Sequence, residues 1–265
     1  DRVRELPNTG PQLGSVEQFS AAFPAALCGF CRLRSDYFGQ ELQGALITSQ
    51  FNVHRLQKHE LRPSGATWKA STSDFAVSTN YDFHPTDVLE DADGSLIVVD
   101  MGAWYNYHCP NSKYSRPDLS GGLYRISRTD AKPTDDPWGK RIEFDVAASA
   151  DLMKLLSDSR PFVRDKAVEA IVRRGGKCVP ELVTLLKNRD TTGAHLNAIW
   201  ALTRIGTETA QAAVRAALDH PNTKVRHAAA HCVGVERDVA AFERLSEIVV
   251  FDELPVRLKA AEALG

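Results

Sequence analysis

The sequence predicts two architectures in one chain: antiparallel β structure of the propeller or sandwich kind to about residue 128, then an all-α solenoid. Three observations carry this reading. Short β-branched runs separated by turn residues fill the first half. The run "ADG" between two apolar runs marks a hairpin. One helical pattern recurs at fixed spacing through the second half.

The strand signals come in order. "GALITSQ" (44–50) starts on a Gly and carries β-branched residues. "TDVLED" (86–91) and "SLIVVD" (95–100) flank Asp93-Gly94, where Gly tolerates positive φ and Asp caps its own backbone. "GGLYRI" (121–126) follows a Gly pair. "DADG" has the start of a calcium loop but neither the remaining ligands nor the distal Glu.

Residues 129–148 read as a linker, since "RTDAKPTDDPWGKRIEFD" (128–145) is rich in Asp, Pro, Thr and Gly. Trp138 and Phe144 predict that it is pinned to a domain surface.

From 149 to 265 the pattern is helical and repetitive, with the last unit cut short. "VRDKAVEAI" from Val163, "AHLNAIWAL" from Ala194, "VRHAAAHCV" from Val225 and "VRLKAAEAL" from Val256 start 31 residues apart. Small residues recur at Ala167, Ala198, Ala229 and Ala260, and again at Ala170, Ala201, Cys232 and Ala263. The partner helix repeats at Leu152, Val183, Val214 and Leu245. One helix pair cannot bury its apolar stripe alone, so pairs stack. Pro161, Pro221 and Pro255 stand where second helices begin, where a missing N–H costs nothing.

The formal net charge of the 265 residues is −2, with no block of like charge, which argues against nucleic acid or an anionic membrane as partner. No run of about 18 apolar residues is present to span a bilayer. The chain opens on Asp1 and closes inside a repeat, so it reads as a piece of a larger protein. Five cysteines make no disulfide framework. "CGFC" (28–31) lacks the following His of a haem site and the second pair of a zinc site. A bridge from Cys28 or Cys31 to Cys109 and plain buried thiols both remain open.

Two resemblances follow. Residues 149–265 resemble short HEAT-like repeats, which implies an α-solenoid and a protein partner. "PAALCGFCRLRSDYFGQELQGALITSQFNVHRL", "FHPTDVLEDADGSLIVVDMGAWY", "CPNS" and "GGLYRI", in that order, resemble the last blades of the glucose/sorbosone dehydrogenase-like β-propeller, six-bladed and TolB-like. More narrowly they are similar to large secreted proteins of planctomycetes and verrucomicrobia, named as membrane-bound dehydrogenases, that join such a propeller to HEAT-like repeats and often to cytochrome c. Residues 25–128 would then be the final two blades. The resemblance implies a secreted or periplasmic setting, pyrroloquinoline quinone and calcium as cofactors of the whole protein, and a sugar or small alcohol as substrate. It places the catalytic base in an earlier blade. Where quinoprotein sugar dehydrogenases of this type carry Arg-x-Arg-Asp near the final blade, this chain has His84, Pro85, Thr86 and Asp87, keeping only the Asp. An Arg fork grips a carboxylate bidentately; Thr86 offers one neutral hydrogen bond.

The candidate residues each carry two readings. His84, before Pro85, lines a funnel as base or cofactor contact, or is a hydrogen-bonded loop His. Thr86 and Asp87 touch a cofactor, or Asp87 accepts backbone N–H bonds. Asp100 ends "LIVVD" as a catalytic group or as a loop cap. Trp104, Tyr105 and Tyr107 stack on a sugar or pack blades together. His108-Cys109 lacks a third metal ligand; Lys113 and Arg116 lie in a polar loop. His227 and His231 stand one turn apart at metal-compatible spacing, but His231 shares its repeat position with Glu169 and Glu262, on a solvated face. Trp200 shares that position and is a partner-contact candidate. Two functions are carried forward: oxidation of sugars or related alcohols by the full-length protein, with this chain alone inactive, and a non-catalytic glycan- or protein-binding propeller on a scaffolding solenoid.

Overall fold

The computed structural model describes residues 26–103, 118–188 and 191–265. Its strand half holds two antiparallel sheets in which strand order follows sequence order. The first comprises β1 (Leu27–Arg32), β2 (Leu46–Gln50), β3 (Arg55–Ser64) and β4 (Thr67–Val77). The second comprises β5 (Pro85–Glu90), β6 (Leu96–Gly102) and β7 (Ser120–Ile126).

Three of these strands have no counterpart in the sequence reading. β3 and β4 form a long ribbon, yet "RLQKHELRPS" and "TWKASTSDFAV" are polar on both faces and show no apolar period. "LCGFCR" alternates only weakly and was legible chiefly as a Cys pair. The two sheets meet through Leu33, Ile47 and Leu56 on one side and Val88, Leu96 and Val98 on the other, all buried. β1 lies against β5 so closely that a Cβ on Gly29 would come within 2.0 Å of the Asp87 carboxylate.

The β5–β6 hairpin turns at Gly94, whose φ of 91° only glycine adopts freely. Asp93 accepts the Ser95 N–H at 2.9 Å across that turn. Thus the acidic pair of "DADG" shapes a turn. Gly121 is fixed by a different demand: a Cβ there would stand 1.8 Å from the Asp100 carbonyl oxygen.

The helical half stacks four pairs. First helices are α1 (Ser149–Leu155), α3 (Val179–Lys187), α5 (Glu208–Ala216) and α7 (Phe242–Phe251). Second helices are α2 (Pro161–Arg174), α4 (Thr192–Ile205), α6 (Thr223–Val235) and α8 (Leu254–Leu264), each packed on the next. Ala167, Ala198, Ala229 and Ala260 are all fully buried, so the second helices approach without side-chain bulk between them. Side-chain capping repeats in the two middle pairs. Thr191 and Asn222 cap α4 and α6 through their side-chain oxygens. Pro161 is the first residue of α2 and Pro255 the second of α8, while Pro221 lies outside α6, one residue before its Asn222 cap. A residue with positive φ follows α2, α4 and α6, at Gly175, Gly206 and Arg237.

The connecting segment is docked on the solenoid. The Trp138 and Phe162 rings meet edge-on at 4.8 Å, and Phe144 packs against the helical core. Arg160 donates to the Asp136 carbonyl at 3.0 Å. Among the described residues no helix is long and apolar enough to cross a membrane.

Candidate functional site

The residues singled out in "HPTD" and "VVD" do come together, at the open end of the β5–β6 pair, away from the Gly94 turn. A register irregularity between Pro85 and Asp87 places Pro85 opposite Asp100 and Asp87 opposite Val99. Asp100 lies inside β6 rather than at a loop. Its Oδ1 accepts the backbone N–H of His84 at 2.8 Å and of Gly102 at 2.9 Å. The carboxylate is buried, so its hydrogen bonds hold the entry to β5 against the end of β6.

His84 is buried as well. Its Nδ1 lies 3.1 Å from the Asp82 carbonyl and 2.9 Å from the Gly102 carbonyl. Carbonyls only accept, so Nδ1 carries a proton. The ring lies tilted to Phe51, at 4.9 Å, and edge-on to His54, at 5.1 Å. Burial, then the neighbouring His54, pushes its pKa below the usual histidine value, which keeps the imidazole neutral at pH 7. Thr86 donates to the Val99 carbonyl at 3.3 Å, and Asp87 accepts the Val88 N–H at 2.8 Å. Pyrroloquinoline quinone carries carboxylates and asks for cations. A neutral buried imidazole, a hydroxyl turned to its own sheet and an anion do not fit that group. Trp104, Tyr105, Tyr107, His108, Cys109, Lys113 and Arg116 lie outside the described residues.

A polar network in the first sheet was missed by the sequence reading. His59 is fully buried with one ring nitrogen 2.9 Å from Thr48 Oγ1 and the other 2.9 Å from Thr72 Oγ1, bridging three strands. Gln50 donates to Gln57 at 2.9 Å beside it. Alternation of these polar residues with Ile47, Ser49 and Leu56 is the signal, visible only once β2 and β3 are paired.

Cys28 and Cys31 are free thiols on β1, not joined to each other. Burial, then the nearby Glu90 and Asp87 carboxylates, pushes the Cys31 thiol up to about 12, so it is no nucleophile at neutral pH. The bridge to Cys109 involves a residue outside the described set.

On the solenoid, the repeat position shared by Glu169, Trp200, His231 and Glu262 forms one row. Trp200 is 39% exposed and meets the exposed His231 ring edge-on at 6.1 Å. Lys166 pairs with Glu169 and Lys259 with Glu262 at the two ends of the row. His227 lies half-buried, its pKa lowered by burial, then by Lys259. Among the described residues no three His, Cys, Asp or Glu side chains gather to hold a metal.

These features define the class of the helical half: a HEAT-type solenoid, the architecture of an interaction domain. Residues 179–265 match the family model for HEAT repeats, and the register extends back through α2 and α1. Residues 6–128 match the model of a domain of unknown function, DUF7133. No curated protein matches the chain. Among solved structures it is similar to human deoxyhypusine hydroxylase in complex with glycerol, at 27% identity and a TM-score of 0.37, over 44% of this chain; the match spans 42% of that chain.

Proposed function

We propose that the chain is an interaction module, in which a rigid strand unit carries a solenoid whose Trp200–His231 row docks a partner protein. The observation that carries this is the layout of the row. An exposed aromatic pair sits at its centre, with Lys166–Glu169 and Lys259–Glu262 pairs beyond it on either side. Aromatic anchors ringed by charged residues are the usual anatomy of a binding hot spot. The two sheets, each a sequential meander packed on its neighbour, are read as successive propeller blades.

Oxidation of a sugar or alcohol, in a secreted or periplasmic setting, draws its support from the sequence resemblance alone. His84 Nδ1 and Asp100 Oδ1 are engaged with backbone groups, which favours a structural role for both over catalysis. The test is a photo-crosslinking amino acid placed at Trp200 and, as control, at Phe242, in cells that make the protein. A discrete protein adduct from position 200 and none from 242 supports the reading. Equal labelling from both positions, or none, sinks it.

A further inference from the structure

The edge of the solenoid carries one inter-repeat groove twice. The later copy is lined by Asp219, Arg226, Arg244, Glu247, Phe251 and Asp252. Charged side chains pair across it and leave about 470 Å³. Arg226 grips Asp252 through two N–H donors at 2.8 and 2.7 Å, and Arg244 donates to Asp219 and to Glu247, each at 2.8 Å.

Thirty-one residues earlier the same positions hold Asn188, His195, Ala213, Ala216, His220 and Pro221. Every charged residue of the later pairs is replaced. Arg226 and Arg244 correspond to His195 and Ala213; Asp219, Glu247 and Asp252 correspond to Asn188, Ala216 and Pro221. What remains is a cavity of about 720 Å³, walled also by Val183, Leu186 and Ala217. That volume is within the range of small-molecule sites.

One side chain in the wall of this cavity carries a buried polar atom without a partner. His195 is 4% exposed, and its Nε2 makes no hydrogen bond. Its neighbour His220, 4.9 Å away and edge-on, is fully committed: Nδ1 accepts the Asn222 N–H at 3.0 Å and Nε2 lies 3.2 Å from the Leu186 carbonyl. A buried ring nitrogen left unpaired is costly, and in the Nε2–H tautomer a ligand that supplies an acceptor recovers that cost. Lys187 is exposed at the rim, while the charge of Asp219 is matched by Arg244. Among the described residues at the mouth the uncompensated charge is therefore positive. The sequence carries a trace of this: the positions equivalent to His195 are Arg164, Arg226 and Arg257.

We propose that this groove binds a small monocarboxylate with an apolar body. The body lies on Val183, Leu186, Ala213 and Ala217, and the carboxylate accepts the His195 Nε2–H under the field of Lys187.

The test is calorimetric titration of the whole chain with 2-naphthoate and with 2-naphthylmethanol. The acid binds at least tenfold more tightly than the alcohol. His195→Phe removes that preference. Ala213→Arg with Ala216→Glu, which transplants a charged pair of the later groove onto half-exposed and exposed positions and narrows the earlier one, weakens naphthoate at least tenfold with the melting temperature kept. Ala216→Glu alone serves if the pair fails to fold. Failure of naphthoate to bind, equal affinity for acid and alcohol, or undiminished binding by the narrowed variants overturns the proposal.

Discussion

The guanidinium of Arg34 lies flat against the carboxylate of Asp165, with both N–O distances 2.7 Å, and this pair joins the strand half to α2. On its other side the Arg34 backbone N–H donates to Glu90 at 2.6 Å, at the end of β5. One residue thus ties both sheets to the solenoid.

The two side chains are 42% and 49% exposed, so the pair contributes about 0.2–1 kcal/mol to stability. Its larger effect is on geometry, because a lysine cannot reproduce the fork. Arg34→Lys is expected to leave the thermal melt nearly unchanged and to speed thermolysin cleavage within residues 129–148. Unchanged cleavage would show that the joint is held elsewhere.

Asp100 separates the structural reading from the catalytic one. Asp100→Ala orphans two buried N–H groups and should cost about 2–4 kcal/mol in urea unfolding. Asp100→Asn keeps an acceptor oxygen and should cost under about 1 kcal/mol. Dye-linked oxidation of aldoses with added pyrroloquinoline quinone and calcium should show no turnover in either variant or in the parent. Turnover that collapses in Asp100→Asn would move the residue to the active site.

Arg237 adopts φ 51° where the two preceding repeats place Gly175 and Gly206. A side chain in that region costs about 1–2 kcal/mol, part of which is offset by the stiffer unfolded chain. Arg237→Gly is expected to stabilise the solenoid by about 0.5–1 kcal/mol, read from the denaturation midpoint at constant slope. Destabilisation would mean that the Arg237 side chain contributes more than its backbone strain.

Burial, then His195, lowers the pKa of His220, and burial, then His54, lowers that of His84. The unfolded chain, with histidines near 6.5, then binds more protons than the folded one at mildly acidic pH. This contribution to stability is complete above about pH 6.5 and is lost as pH falls through the folded values. The urea midpoint should therefore drop between pH 7.5 and pH 5.5, and His220→Gln should flatten the change. An equal slope in the variant would assign the effect elsewhere.

The solenoid was legible because the same residue types return in both helices of each pair, so Ala198 and Val214 could be placed before any coordinates. The β5–β6 hairpin was legible from Asp93-Gly94. β3 and β4 were not, since their far ends are exposed on both sides and nothing in their composition has a period of two. His84 and Asp100 were found as a pair in space but with a different occupation. Their partners are backbone groups brought across the hairpin by a one-residue irregularity, and a sequence does not display which backbone atoms it will bring together. His195 escaped notice because its meaning lies in what surrounds it in the neighbouring repeat.

The column of Ala167, Ala198, Ala229 and Ala260 has a consequence for how the solenoid opens. Each second helix is protected by the one before and the one after, so α4 and α6 are sheltered on both flanks, while Leu258 of α8 is 42% exposed. Units that touch only their neighbours open from the ends inward. In the isolated stretch of 265 residues, amide exchange should consequently form a gradient along the stack, slowest in α4 and α6, so that the middle pairs act as the lock and the outer pairs as the hinges through which it is released.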